Sequence, residues 1–347
     1  MSQQIIDLRS DTITLPKREM LEAILEAPLG DDILGEDPTV NELERRTAEM
    51  FGMEAALLLT SGTMANQVAI MNYCNRGEEV IMSKYSHIFT LEGGATSAVA
   101  QVQIKPMNVT NGVYDIDEMA SYINEGDIQR PKTGLICLEN THNLNRGEII
   151  PLENMKAIKE LADKHNIPVF LDGARVFNAA VELGVSVKEI CQHVDAVQFC
   201  LTKGLGCPIG SMLVGSKEFI EKAVINRQRL GGGMRQAGII AAPALYALDH
   251  MVDRLKEDND RAKKLAKKLS SVDGISIDPA HVHTNVLAPK VVKEGWNAAR
   301  FIEFLADEGI KVKHIGENEV RMIIHFQVTD EHIDKVIKAY EKFADLR

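Results

Sequence analysis

Short hydrophobic runs alternate with segments of helical periodicity through the first 250 residues of the chain. The runs are AALLLTS (55–61), EVIMS (79–83), TGLICLEN (133–140), IPVFLDGA (167–174), VDAVQFCLT (194–202) and GSMLVG (210–215). Two of the segments between them, residues 62–74 and 152–166, carry hydrophobic residues at helical spacing. Continuous apolar runs separated by helices are typical of βαβ units around a mainly parallel sheet. The pattern predicts a large α/β domain over residues 1–250.

A different pattern follows. One long helical pattern extends from about Gly238 to Leu269, and its charged second half reads as a solvated helix face. After it come two short apolar runs, TNVLAP (284–289) and VRMIIHF (320–326), and two further helical patterns, 297–309 and 330–343. We expect a smaller C-terminal α+β domain over residues 251–347.

Composition narrows the functional class. The 347 residues are 45% hydrophobic, enough for about two domains, and the net charge is −11. That charge argues against nucleic acid or an anionic membrane as a partner, since both bind clustered Lys and Arg. The five cysteines form no C-x-x-C pair and suit a reduced, cytoplasmic protein. The sequence shows neither a signal peptide nor a run long enough to span a membrane.

The stretch SGTMANQ (61–67) joins a predicted strand to a predicted helix. The free amides at a helix N-terminus bind phosphate well. Gly62 would let such a ligand approach closely, and Thr63 could donate its hydroxyl. An ordinary strand-to-helix turn with a Ser or Thr cap explains the stretch equally well.

Two later residues, Asp172 and Lys203, stand at the ends of successive predicted strands. The carboxyl ends of strands form the ligand edge of an α/β sheet, and Arg175 adds a polar group there. Taken singly, Asp172 could cap a helix and Lys203 could extend its amine to solvent. A phosphate cradle, a carboxylate for a ring nitrogen and an imine-forming lysine nevertheless occur in the order that a pyridoxal-phosphate enzyme requires.

The chain resembles the low-specificity L-threonine aldolases, which are fold type I pyridoxal-phosphate enzymes. The resemblance runs through nearly the whole chain and is weakest at the C-terminus. The matching stretches are DLRSDT, GDDILGEDPT, SGTMANQ, SHIF, ENTHN, DGARVFNA, LTKGLGCPIGS and GGGMRQ.

The resemblance implies a role for each matching residue at the cofactor. Lys203 would hold the cofactor as a Schiff base, and Asp172 would pair with the pyridine nitrogen. His87 would stack on the ring, and Arg175 would reach the ring hydroxyl. The residues expected at the phosphate are Gly62, Thr63 and, from a neighbouring subunit, Arg235.

The resemblance also implies how substrate is bound and how the chain assembles. The substrate carboxylate would meet Ser10 and Arg321, with Arg175 close by, so the N-terminal segment would contribute to the site. A homodimer or homotetramer with shared active sites is expected. The small, apolar residues of 231–248 suit burial, including burial at a subunit interface.

Three positions depart from the family pattern. Leu34 replaces a usual tyrosine, Gln129 a usual histidine and Gln228 a frequent lysine. The first two are expected near the β-substituent of the substrate. The cofactor residues are therefore intact, whereas the preferred substrate and the stereospecificity at Cβ stay open.

Together these features predict a lyase that cleaves L-threonine or L-allo-threonine, or other β-hydroxy-α-amino acids, to glycine and an aldehyde. His87 is the candidate base for the β-hydroxyl proton. The alternatives are a related lyase or racemase acting on another β-substituted amino acid, and a non-enzymatic pyridoxal-phosphate-binding regulatory or carrier protein. His281 and His283 would share one strand face, but the sequence offers no third ligand and no metal site is expected.

Overall fold

The computed structural model describes residues 5–346. Its helices are α1 Arg18–Glu26, α2 Pro38–Phe51, α3 Gly62–Tyr73, α4 His87–Thr90, α5 Ile116–Tyr122, α6 Leu152–Lys164, α7 Val176–Leu183, α8 Val187–Cys191, α9 Lys217–Arg229, α10 Gly238–His250, α11 Leu255–Leu269, α12 Ala298–Asp307 and α13 Asp330–Ala344. Its strands are β1 Ile6–Asp7, β2 Ala55–Leu59, β3 Glu79–Ser83, β4 Gln103–Met107, β5 Val109–Thr110, β6 Val113–Tyr114, β7 Thr133–Glu139, β8 Val169–Asp172, β9 Ala196–Cys200, β10 Ser211–Gly215, β11 Ile275–Ser276, β12 Val286–Leu287, β13 Lys290–Val291, β14 Ile310–Lys311, β15 Lys313–Gly316 and β16 Glu319–Ile323.

A seven-stranded sheet forms the centre of the large α/β unit, in the order β2-β10-β9-β8-β7-β3-β4. The five strands from β9 to β4 are mutually parallel, and β10 alone is antiparallel to its neighbours. Each strand coincides with one of the predicted apolar runs, apart from β4, which the sequence pattern did not predict. The expected mainly parallel sheet is confirmed.

The central strands are apolar throughout because both faces of the sheet are covered. Leu58 packs into the core on one face, whereas Leu57 and Leu59 pack into the core on the other. On β3, Ile81 packs into the same core as Leu58, and Val80 packs into the same core as Leu57 and Leu59. This alternation is the expected arrangement for a sheet between two helical layers.

The C-terminal part is built on a second, antiparallel sheet with the order β11-β13-β16-β12, and β15 pairs with β16. The expected fold class, a mainly parallel α/β domain with a smaller α+β domain, is confirmed. Strand β1 pairs in parallel with β14, and Ile6 and Leu8 pack into the C-terminal core. The N-terminal strand therefore packs with the smaller unit, and the division at residue 250 stays a prediction.

The long helix expected over residues 238–269 is instead two helices, α10 and α11, separated by a turn at residues 251–254. Met251 and Leu255, on either side of this turn, are both buried in the large core. Helix α11 then leaves that core, and Leu265 and Leu269 pack into the C-terminal core. The apolar α10 is buried largely within its own subunit.

No helix within residues 5–346 is both long and apolar enough to cross a membrane.

Candidate active site

The candidate site lies at the carboxyl edge of the central sheet, where three polar residues stand in register on neighbouring strands. Glu139 pairs with Asp172, and Asp172 pairs with Gln198. All three side chains are buried. Because parallel strands present their carboxyl ends at one edge, the polar groups converge there.

The Asp172 carboxylate is surrounded by neutral hydrogen-bond donors. The side chains of Gln198 and Asn66 donate to it, the latter at 2.9 Å, and the Ala174 amide donates at 3.1 Å. Helix α7 begins later, at Val176, so Asp172 is not its cap. A buried carboxylate is costly without a cation, and a protonated ring nitrogen would supply one. The residues present therefore fit a pyridoxal ring.

His87 is held by a second buried acid. Its Nδ1 lies 3.0 Å from Glu92 Oε1, and Glu92 also accepts hydrogen bonds from Asn66 at 2.7 Å and Gln67 at 2.9 Å. Burial alone lowers the pKa of His87, but the Glu92 hydrogen bond and the charges of Asp172 and Glu92 outweigh it and raise that pKa. The imidazole remains part-exposed and can meet a ligand.

The structure thus gathers His87, Glu92 and Asp172 so closely that one ligand atom from each lies within 4.8 Å of the others. Such a trio has the donor types of a metal site. Asn66 Nδ2, however, donates to both carboxylates at once, so an N–H group already stands between them. We attribute the cluster to the cofactor site.

Two arginines form the opposite side of the site. Arg175 makes a bidentate ion pair with buried Asp11, through Nε and Nη2 at 2.7 Å each. Burial alone would raise the pKa of Asp11, but Arg175 lowers it to about 2. Asn143 Oδ1 accepts from Arg321 at 2.9 Å and from Arg175 at 3.4 Å. Burial and the charge of Arg175 lower the pKa of Arg321 to about 10, and a bound carboxylate would relieve this repulsion.

Lys203 stands in the turn after β9. Gly204 and Gly206 follow it, and a Cβ would lie 2.6 Å from Leu255 at the first position and 2.7 Å from Phe326 at the second, where φ is also +74°. The positive charge of Lys203 lowers the pKa of Asp11 and acts against the rise in the pKa of His87, so the amine is near both residues.

Ser10 lies beside the arginine side, but its hydroxyl makes no hydrogen bond to Arg321. Its hydroxyl is 2.7 Å from the Thr12 hydroxyl and accepts from the Thr12 amide. The backbone oxygen of the preceding Arg9 accepts from Arg321 at 3.4 Å. The N-terminal segment is therefore close to the predicted carboxylate pocket, as expected.

The sequence left two interpretations open for the turn before α3, a helix cap and a phosphate site, and the structure is compatible with both. Ser61 caps the helix by accepting from the Met64 amide at 3.2 Å, and the helix begins at Gly62 and Thr63. The missing Cβ of Gly62 would lie 2.8 Å from Cys200 Sγ, so this glycine permits close packing against β9. Close approach of a phosphate at Gly62 stays a prediction. The amides of the first turn remain a suitable phosphate site.

Comparison with known proteins was consistent with this geometry. The family profile described as Beta-eliminating lyase matches residues 7–291. The chain belongs to the beta-eliminating lyase family. Enzymes of this family depend on pyridoxal phosphate, so the predicted cofactor and the prediction of a lyase are confirmed.

Curated relatives agree along almost the full length of this beta-eliminating lyase. The low specificity L-threonine aldolase of Escherichia coli (strain K12) is 41% identical over 98% of this chain and 99% of its own. Low-specificity L-threonine aldolase 1 of Arabidopsis thaliana is 39% identical, covering 99% and 97%. A solved Leishmania major threonine aldolase, 17% identical, superposes with a TM-score of 0.83 over 98% and 99%, which supports the fold.

The three departures from the family pattern do not meet at one place within a subunit of the lyase. Leu34, 66% exposed, and Gln228 line the same surface cavity of about 610 Å³. Gln129 lies in the loop before β7. The backbone amide of Thr133 donates to the backbone oxygen of Asn124 and so closes this loop. The seven residues of β7 span about 20 Å, so Gln129 and Asp172 lie at opposite edges of the sheet.

Arg235 makes no hydrogen bond or ion pair with the site residues described above. Its guanidinium is 2.9 Å from Asp31 and is 64% exposed. Its backbone oxygen accepts from the Asp32 amide at 2.8 Å, which ties the two loops together. The side chain is therefore accessible to another subunit.

Sequence reasoning missed the groups that orient the predicted residues of the lyase. Some of them lie inside matching stretches without having been assigned a role, and others are polar residues within apolar runs, which is a signal of a strand-edge site. They are Asp11, Asn66, Glu92, Glu139, Asn143 and Gln198.

Proposed function

We propose that this protein cleaves L-threonine, L-allo-threonine and related β-hydroxy-α-amino acids by a retro-aldol reaction to glycine and an aldehyde. The observation that carries the proposal is the presence of three different groups around the carboxyl edge of the central sheet, with Arg321 supplied by β16 of the C-terminal sheet. Asp172 suits a cationic ring, Arg321 with Arg175 suits a carboxylate, and His87 suits a proton acceptor. A β-hydroxy-α-amino acid bound to the cofactor needs all three.

Each residue of the site has a distinct task. Lys203 would hold pyridoxal phosphate through its side-chain amine. When bound, pyridoxal phosphate supplies an electron sink for breaking the Cα–Cβ bond. Asp172 keeps the ring nitrogen protonated by its negative charge. Gly62 and Thr63 amides hold the phosphate.

The carboxylate side is organised in advance. Asp11 and Asn143 fix the guanidinium of Arg175, and Asn143 fixes Arg321. Ser10 completes this side through the N-terminal segment. Such an arrangement orients the substrate before reaction, and correct orientation lowers the activation barrier in addition to any gain in affinity.

His87 accepts the proton of the β-hydroxyl group, directly or through a water molecule. Its Nδ1 faces Glu92, which leaves Nε2 for the substrate. An imidazole suits this task because it changes protonation near neutral pH.

The direct test is incubation with L-threonine, L-allo-threonine and phenylserine, followed by assay of glycine and aldehyde. Because the exposed Leu34 replaces a group that can donate a hydrogen bond, and a neighbouring subunit can bring it to the site, we expect weak selection between the Cβ diastereomers. Elimination or racemisation without release of glycine would contradict the proposal.

The pH dependence offers a test of His87. As a base, His87 acts when neutral, so turnover falls as pH decreases through its pKa. Glu92 and Asp172 raise that pKa. We expect Glu92→Gln to move the acidic limb of kcat/KM to lower pH, since the neutral amide no longer stabilises the imidazolium.

Glu125→Gln is the matched control for that prediction, because Glu125 lies 3.2 Å from His165 in a similar but exposed pair. Its pH profile should equal that of the unmodified enzyme. An acidic limb that stays fixed in Glu92→Gln, or moves to higher pH, would exclude His87 as the titrating base.

We propose that the enzyme works as a homodimer or as a homotetramer, a dimer of dimers. Large apolar side chains around α1, the following loop and α9 are exposed in the single chain, which is unusual for a monomer surface. They are Leu15, Leu21, Leu25, Leu29, Ile33, Leu34, Val224 and Ile225. The accessible Arg235 supports a phosphate contact in the neighbouring subunit.

Subunit complementation tests this assembly. Arg235→Ala and Lys203→Ala are each expected to be inactive, but coexpression should restore about one quarter of the activity. Half of randomly formed dimers are mixed, and each mixed dimer has one site with both residues intact. Coexpressed Lys203→Ala and Lys203→Arg should stay inactive. No recovery in the first mixture would show that Arg235 serves its own subunit.

We also propose a cytoplasmic location. All five cysteines are free and buried, as suits thiols kept reduced.

A further inference from the structure

Glu139 is a buried acid at the end of β7 to which the steps above give no task. Its side chain bonds two separate loops. Oε2 accepts the backbone amide of His87 at 2.6 Å, and Oε1 accepts the backbone amide of Asn143 at 2.8 Å. The carboxylate thus joins a residue 52 positions before it to a residue four positions after it.

The two loops carry opposite halves of the site. The first loop presents the His87 imidazole, which faces the substrate hydroxyl in the proposed reaction. The second presents the Asn143 side chain, which accepts from Arg321 at 2.9 Å and Arg175 at 3.4 Å. The distance between the proton acceptor and the carboxylate-binding arginines therefore depends on what holds the loops together.

We propose that Glu139 is a positioning residue that locks the His87 loop to the Asn143 loop, so that the hydroxyl and carboxylate groups of one substrate are held at the same time. Its role in catalysis rests on the proposed function, whereas the lock itself does not. Only a carboxylate offers an acceptor oxygen to each loop, because an amide of the same shape has one acceptor and one N–H donor.

The electrostatic setting agrees with this role. Burial and the charge of neighbouring Asp172 raise the pKa of Glu139 to about 7, and the two amide hydrogen bonds act against that rise. A cationic ring nitrogen at Asp172 would reduce the repulsion between the two carboxylates. Cofactor binding should therefore strengthen the lock.

The test is hydrogen–deuterium exchange of the Glu139→Gln variant, measured in both apoenzyme and holoenzyme. We expect exchange to accelerate on the order of tenfold in segments 84–91 and 141–147 together, as for the loss of one charge-assisted hydrogen bond. In the holoenzyme, KM for threonine should rise and kcat should fall, since both halves of the site shift.

The matched control is Glu148→Gln. Glu148 is also buried, lies in the second loop and accepts from the Asn145 side chain at 2.8 Å, but it makes no contact with the first loop. Its exchange should change only in the second segment. If Glu139→Gln does not fold, Glu139→Asp replaces it. The aspartate keeps the charge but is too short to reach both amides, so exchange should again accelerate in both segments.

Accelerated exchange in one segment alone, or in neither, overturns the lock. Because exchange in the apoenzyme needs no turnover, a failure to cleave threonine and a failure of the lock give different results.

Discussion

The Lys203→Ala variant is expected to lose threonine cleavage almost completely, by about 10⁴-fold or more, on the scale of removing a covalent catalytic group. The physical reason is the loss of the Lys203 amine, whose charge acts on Asp11 and His87 in the site. Borohydride treatment of the unmodified enzyme should fix the cofactor to the peptide that contains Lys203. Mass spectrometry of the digested protein and steady-state rates measure both effects.

Two further variants separate the proposed covalent role of Lys203 from its charge. Lys203→Arg keeps a cation near Asp11 and His87, but a guanidinium stays protonated and is not a nucleophile. We expect it to be as inactive as Lys203→Ala. Lys335→Ala, an exposed lysine of α13, should retain full activity and full labelling. Substantial turnover by Lys203→Ala would refute the central assignment.

The fold was predictable because its strands are buried on both faces. That burial leaves runs such as EVIMS and TGLICLEN without a polar face, and the runs mark the strands directly. The sequence pattern did not predict strand β4, because Gln103 and Pro106 are exposed and Lys105 interrupts the apolar run. The break between α10 and α11 was not predicted either, because an apolar helix followed directly by an amphipathic helix has the sequence pattern of one long helix.

The site was predictable where a residue follows directly from a strand end. Asp172 and Lys203 have that signal, whereas the Arg175–Asp11 pair joins positions 164 apart and depends on tertiary packing. Gln129 is a different case. It precedes the apolar run of β7, so its own sequence position indicates the amino edge of the sheet. The resemblance led us to expect it near the site, and within one subunit the structure does not bring it there.

Orientation of side chains was the least predictable feature. Asn66 lies within SGTMANQ, and Glu92 follows SHIF by three positions. Nothing in this spacing shows that the Asn66 amide group bridges Glu92 and Asp172. Likewise, Gln198 is visible as a polar residue inside an apolar run, but its partner Asp172 follows only from the register of β8 and β9. Such contacts need the folded chain.

The second large effect is expected for Asp172→Asn. The substitution removes the buried charge and leaves a single acceptor oxygen for the donors from Asn66, Gln198 and Ala174. Without this charge, Asp172 would no longer favour a protonated ring nitrogen, and pyridoxal phosphate bound there would be a weaker electron sink. We expect a loss of about 3–5 kcal/mol in transition-state stabilisation, or roughly 10²–10⁴-fold in kcat.

Asp195→Asn is the matched control, because Asp195 belongs to the same sheet but lies at its amino edge. Its carboxylate accepts from the Val169 amide at 2.7 Å and pairs with Lys159 at 3.0 Å. This variant should keep the rate of the unmodified enzyme, with only a change in thermal stability. If Asp172→Asn also kept that rate, the Asp172 charge would have no part in catalysis, and its contact with the Ala174 amide would leave it as a residue that closes the turn before α7.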